Sequence, residues 1–192
     1  MHRCEWATTE SAILYHDHEW GMPLHDDKRL FEFLVLEGAQ AGLSWQTILN
    51  KRQRYIEVFD DFDPEKIARY GPQKIEALLS DTGIVRNRRK IESTVQNACV
   101  FLDIQKQFGS FDRYIWQYVD NQPIQNHHLN ISQIPAKSEL SEKISLDLRK
   151  RGMNFVGPTI IYAFMQAVGI VNDHIVSCFR YSQIQSASNK EI

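Results

Sequence analysis

Apolar residues recur at three- and four-residue intervals through almost the whole chain, and no long stretch alternates apolar with polar side chains. That spacing gives a series of helices one buried stripe each and leaves a half-buried strand no pattern to follow. The fold class expected is therefore all-α. Punctuation by capping residues, glycine and proline divides the pattern. Residues 26–41 make a first helix opened by Asp26 and Asp27 and broken at Gly42. Ser44 caps a second helix, Asp63-Pro64 opens a short one, and Gly71-Pro72 opens the next, which ends near Ser80. After Gly83 a long helix runs from about Asn87 to Gln107, and another covers Phe111 to Val119.

A polar loop with Pro123 and Pro135 follows and is the best internal boundary. Beyond it come an amphipathic helix over Glu139–Arg151, a tight link from Gly152 to Gly157, and an apolar helix from Pro158 to near Gly169. The last residues are polar and read as a frayed tail.

With 192 residues, 43% of them hydrophobic, the chain can bury one core of its own. A formal net charge of -2 excludes a global cationic field, so any contact with nucleic acid must be local. Local clusters exist at Arg86, Arg88, Arg89 and Lys90, at Arg149, Lys150 and Arg151, and at Lys51, Arg52 and Arg54. Each by itself reads equally as a solvated helix face. Three cysteines are too few for a disulfide framework. No apolar run approaches the roughly 18 residues of a membrane span, and no secretory signal pattern opens the chain. A cytoplasmic monomer without membrane contact is the expectation.

Two stretches carry chemistry. In the link before Pro158, glycines permit a sharp turn, and the helix start leaves backbone N–H groups pointing outward, an anion site suited to a DNA phosphate. A plain helical hairpin is the competing reading. Glu37 follows Phe33, Leu34, Val35 and Leu36 on a helix apolar nearly all round, so its carboxylate is poorly solvated and needs a partner. Either an arginine or backbone satisfies it, or it is kept for a cationic ligand. For Cys4, His16, His174 and Cys178, spacing alone leaves a metal site and ordinary unpaired side chains both open. His174 and Cys178 share a face if their segment is helical.

The segments RCEWATTESAILYHDHEWGMPLHDD, LEGAQAGLSWQTIL and NFVGPTIIYAFMQAVGIVNDHIVSC together resemble the type I 3-methyladenine DNA glycosylases of bacteria. These belong to the helix-hairpin-helix superfamily, whose glycine-rich hairpin and following aspartate turn match residues 149–173 in form. The similarity covers residues 1–180 as one glycosylase unit of two helical subdomains and leaves 181–192 as a disordered tail. It implies hydrolysis of the N-glycosidic bond of 3-methyladenine in alkylated double-stranded DNA, with the base flipped out of the duplex and released free. Many strand-cleaving members carry a hairpin lysine, where this chain has Pro158 and Thr159, which implies base removal alone.

Residue by residue, the resemblance makes Glu37 the recognition carboxylate, Tyr15 a hydrogen-bonding wall, Trp45 a stacking surface and Trp20 part of the rim. Trp6 and Trp116 rank below Trp45, as core. Gly42 and Leu43 become the wedge against the duplex, Gly157 and Thr159 phosphate contacts, and Asp173 a structural residue. Cys4, His16, His174 and Cys178 become ligands of a structural zinc joining the two ends of the chain, with His18 the substitute for His16. Between Cys4 and Tyr15 the chain is one residue shorter than the family pattern, and Ala12 and Ile13 stand where a further aromatic often lies. Two other classes remain to be separated: a DNA-binding module using the hairpin without chemistry, and a zinc hydrolase, which needs an open coordination position.

Overall fold

The computed structural model describes residues 1–188, and the expected caps set most of its helix starts. α1 (Glu10–His18) begins where the Thr9 side chain accepts from Ala12 N–H. It was not expected, because its buried side is Ala12, Tyr15 and His16, with no aliphatic stripe. α2 (Asp27–Gln40) starts with Asp26 accepting from Arg29 N–H. The neighbouring Asp27 serves another helix: it accepts from Phe111 and Asp112 N–H at 2.8 and 2.7 Å, at the start of α7 (Phe111–Trp116). Between them lie α3 (Trp45–Val58), capped by Ser44, α4 (Pro64–Ile67), capped by Asp63, α5 (Pro72–Ser80) and α6 (Arg88–Phe108), capped by Asn87. α8 (Glu139–Lys150) opens with a reciprocal Ser138–Ser141 cap, and α9 (Pro158–Ala167) follows across the expected tight link.

Every residue from Leu30 to Ala39 is buried, because α2 runs through the middle of the molecule against α3, α6, α7 and α9. That explains a helix apolar on nearly all sides. Phe31, Phe101 and Phe111 stack between α2, α6 and α7 with ring centroids 4.9 and 4.3 Å apart. Aromatic pairs at such spacing stabilise beyond the area they bury, by about 1 kcal/mol each.

Three features depart from the sequence reading. Ile124–Gln125 (β1) and Val171–Asn172 (β2) pair in parallel, Ile124 opposite Val171, pinning the polar loop to the segment after α9. Strands of two residues are too short for any alternation to register. The segment from His174 to Cys178 is a turn, and Cys178 N–H donates to Ile175 C=O at 2.8 Å. Lastly, the tail expected from residue 181 is helical: α10 (Phe179–Ser188) buries Tyr181 and Ile184. Ile184 Cδ1 lies 3.1 Å from where a Cβ on Gly21 would stand, so a lone apolar residue in a polar stretch anchors the helix. The part of that expected tail at 189–192 lies outside the described residues. Among the described residues no helix is long and apolar enough to cross a membrane.

Candidate active site and metal centre

A cavity of about 320 Å³ opens between α1, α2, α3 and α9, and Tyr15, Trp20, Glu37 and Trp45 all line it. Sequence position separates these residues by up to thirty places, and packing of α3 on the central helix and of α1 on α3 brings them together. The Tyr15 and Trp45 rings face one another with centroids 5.4 Å apart at 47°. Such a volume holds one flat heterocycle with room to spare.

Three of the six buried side-chain polar atoms without a hydrogen-bond partner among the described residues belong to this cavity: Tyr15 Oη, Glu37 Oε2 and Trp45 Nε1. Leaving a buried polar group unpaired costs about 1–3 kcal/mol, so three together mark a place kept ready for a ligand. Glu37 meets no arginine. Burial alone raises its carboxyl from 4.5 to about 8. Tyr15 is pushed well above the ordinary phenol value, first by burial and then by Glu37, and stays a neutral donor.

At the mouth, α2 ends in a turn in which Gly42 has φ +78°, a conformation that suits glycine, and a Cβ there would meet nothing. Leu43 projects from it at 41% exposure. Gln40 and Trp45 on either side of the turn line the cavity, so the turn forms its rim. Gly157 caps α9 without a side-chain bond, and Thr159 is exposed one turn ahead of Ala163, which lines the cavity wall. The hairpin and the cavity thus share α9, although Gly157 and Thr159 themselves do not touch the cavity. Asp173 is fully buried and lies outside the cavity, accepting from Asn126, Tyr162 and Gln166 at 2.6, 2.7 and 2.8 Å.

The ligand atoms of Cys4, His16, His174 and Cys178 lie within 4.8 Å of one another, all buried. His16 Nε2 and His174 Nδ1 stand 3.4 and 3.5 Å from Cys178 Sγ, and His174 Nδ1 is 3.5 Å from Cys4 Sγ. A tetrahedral zinc with ordinary bond lengths separates its sulfur and nitrogen ligands by about 3.6 Å, so the set fits that ion. The far nitrogens fit as well. His174 Nε2 donates to Trp20 C=O at 3.1 Å, and His16 Nδ1 to Asp17 at 2.8 Å, which leaves the inward nitrogens unprotonated, His16 Nε2 accepting from Cys4 N–H at 3.4 Å. Asp17 is held down to about 2, chiefly by Arg3. Contacts with Cys4, His16 and His174 pull the Cys178 thiol down, while Cys178 and burial push Cys4 up, so the pair already favours a thiolate. His18 is exposed and takes no part.

Sequence reasoning missed part of the wall. Trp6, ranked with core residues, lines the cavity and meets Trp20 edge-on at 5.1 Å. Ile131 and Ile134 reach it from the polar loop, where nothing in their spacing marked them. Trp116 is core, as expected, its Nε1 donating to Leu24 C=O.

These parts define a helical protein with an aromatic-walled cavity, a buried carboxyl facing into it and an exposed apolar turn at its rim. The chain belongs to the methyladenine glycosylase family, whose model matches residues 6–181. It is 44% identical over 182 residues to DNA-3-methyladenine glycosylase 1 of Escherichia coli (strain K12), covering 94% of this chain and 97% of that protein. A crystal structure of a 3-methyladenine DNA glycosylase I superposes with a TM-score of 0.90 at 45% identity, covering 93% and 98% of the two chains. A variant of such an enzyme in complex with 3-methyladenine also gives 0.90, at 37% identity and 93% and 97% coverage.

Proposed function

We propose that this chain excises 3-methyladenine from alkylated duplex DNA, with Glu37 as the group that selects the base. The observation that carries it is the Glu37 carboxyl, 4% exposed, unpaired at Oε2 and facing a cavity walled by Tyr15 and Trp45. A base methylated at N3 within DNA is cationic, and the Glu37 carboxyl, which keeps its proton in the empty dry slot, gives it up beside that cation and so favours it over neutral adenine. The flipped base enters the cavity that Tyr15 and Trp45 wall, and Leu43 on its Gly42 turn fills the gap left in the stack. As the C1′–N9 bond breaks, its electrons return to the ring, which leaves as neutral 3-methyladenine. Water adds to C1′ and gives up one proton. The damaged base is already a good leaving group, so the protein has less to supply than for an undamaged one.

The link and α9 act as a helix-hairpin-helix element, with Gly157 and Thr159 offering backbone N–H groups to a phosphate. With Pro158 and Thr159 at the hairpin position where strand-cleaving enzymes carry a Schiff-base lysine, the strand stays whole. Zinc held by Cys4, His16, His174 and Cys178 would be structural, since four protein ligands fill its coordination. Residues 1–180 form one glycosylase unit, a reading supported by contacts joining the N-terminal segment to the turn after α9. Buried unpaired thiols at Cys4 and Cys178 support a reducing cytoplasm, and a monomer suffices for the site.

The test is incubation of the pure protein with methylated DNA, followed by chromatography of released bases and electrophoresis of the strands. The reading requires free 3-methyladenine and strands that break only after alkali. Tight DNA binding with no base released would leave a binding module.

A further inference from the structure

We propose that Arg89, on the first turn of α6, grips a DNA backbone phosphate between the Leu43 turn and the α8–α9 link, completing one continuous DNA-facing strip. The inference rests on the glycosylase reading and adds a contact to it.

Lys90 places the first turn of α6 beside the rim. Its ammonium donates to Ala39 and Ala41 C=O at 2.8 and 2.6 Å, at the end of α2 where the Leu43 turn begins. On its other side α6 meets the link. Asn97 donates through Nδ2 to Asn154 C=O and accepts from Asn154 N–H through Oδ1, both at 2.8 Å. The start of α6 therefore stands between the two elements expected to touch the duplex. Gly38 brings them closer still, since a Cβ there would lie 3.3 Å from Phe155 Cβ.

Arg89 points into the groove that results. With Ser93, Gln96, Asn154 and Phe155 it lines an open cleft of about 400 Å³, which Glu92 also borders. Of the other cations nearby, Arg86, Arg149 and Lys150 also lack a carboxylate partner among the described residues but do not line this cleft, and the rest are engaged. Arg88 pairs with Glu76 at 2.7 Å and with Glu92 at 3.6 Å, which occupies the one carboxylate of the cleft. Arg54 pairs with Glu57 and Asp81, and Arg151 with Asp147. Arg89 has no carboxylate partner among the described residues and is exposed. In a chain of net charge -2, Arg89 is the cation that lines the cleft beside the hairpin link. Its chemistry suits a phosphate, which takes two parallel N–H bonds from the guanidinium, while the Asn154 and Gln96 amides can donate to the remaining oxygens.

The experiment compares wild type, Arg89→Ala and Arg89→Lys for binding to a duplex carrying an abasic-site analogue, across a salt series. Free 3-methyladenine binding is followed in parallel by tryptophan fluorescence. Arg89→Ala should weaken duplex binding about 5- to 10-fold at low salt and lower the slope of log K against log salt by about 0.9, the signature of one lost phosphate. Arg89→Lys should restore the slope, and free-base binding should stay unchanged in both. An unchanged slope in Arg89→Ala, or a Lys variant no better than the Ala variant, overturns the proposal. If wild type binds the duplex with the expected slope but takes up no free base, the glycosylase reading fails and the phosphate contact stands.

Discussion

Glu32 and Glu37 sit on the same helix, each 4% exposed, yet only Glu32 is met by cations, Arg52 at 2.7 Å and Arg29 at 2.9 Å. One carboxylate is neutralised for the fold and the other is left for the cavity. A pH signature follows from the second. Unfolded, the Glu37 carboxyl titrates near 4.3, and folded it titrates at about 8. As pH rises from 4.3 the unfolded chain loses its proton first, so stability falls through this window and levels off above 8. Glu37→Gln removes that slope. Denaturant melts should find the two proteins converging toward pH 4.5 and the Gln variant ahead by roughly 2–5 kcal/mol at pH 8. Parallel curves would mean that Glu37 is ionised in the fold.

The same carboxylate governs selection. Glu37→Ala should cut release of 3-methyladenine by about 100-fold or more, the scale at which one preorganised electrostatic group acts on a developing or departing charge. It should also flatten the preference for 3-methyladenine over adenine in competition binding, because shape recognition by Tyr15 and Trp45 survives while charge recognition does not. Retained preference would assign selectivity to the rings.

Asp173 should separate in the opposite way. Its carboxylate lies outside the cavity and accepts from three side chains, one of them the cavity-lining Gln166, and an amide cannot accept from all of them. Asp173→Asn should cost about 1–3 kcal/mol of stability, with base release kept within about tenfold in the folded fraction. A large loss of rate at unchanged stability would make it catalytic.

Much of this was legible because caps and breakers are local. Asp26, Ser44, Asp63 and Asn87 each accept from the helix they precede, so α2, α3, α4 and α6 start where expected. α1 was not legible, since its inward residues Tyr15 and His16 face a cavity and a buried Cys/His cluster, and their polarity erased the stripe. The site was readable through Glu37, whose carboxylate conflicts with its greasy surroundings. Trp6, Ile131 and Ile134 suit a core as well as a wall, and only the fold tells them apart. Tyr181 and Ile184 show the limit at the chain's end, where two buried side chains turned a polar tail into a helix.

Lys90 links α6 to the rim through the carbonyls of Ala39 and Ala41 at the end of α2. Lys90→Met keeps the stem and removes the donors. Losing charged hydrogen bonds of this kind costs about 1.5–3 kcal/mol, felt locally at the Leu43 turn. Stopped-flow kinetics on a duplex with a fluorescent base beside the lesion should show slower flipping. Free 3-methyladenine binding, which needs the cavity and not the wedge, should hold. Equal losses in both would place the effect on Glu37.

Removing the metal tests the last element. Cys4 and His174 are 170 residues apart in sequence and 3.5 Å apart in space, so an ion there closes nearly the whole chain into one loop. Binding energy at such a site is folding energy, because the ligands converge only in the native state. Without zinc, two histidines and a thiol–thiolate pair remain buried in contact, held by weak sulfur hydrogen bonds. Chelation under reducing conditions should lower Tm by more than about 5 °C, and restored zinc should return it. Elemental analysis should give one metal per chain, lost in Cys178→Ala. The cavity lies outside this cluster, so the folded fraction of chelated protein should release base at the wild-type rate. Activity lost at unchanged Tm would instead require an ion that touches the substrate.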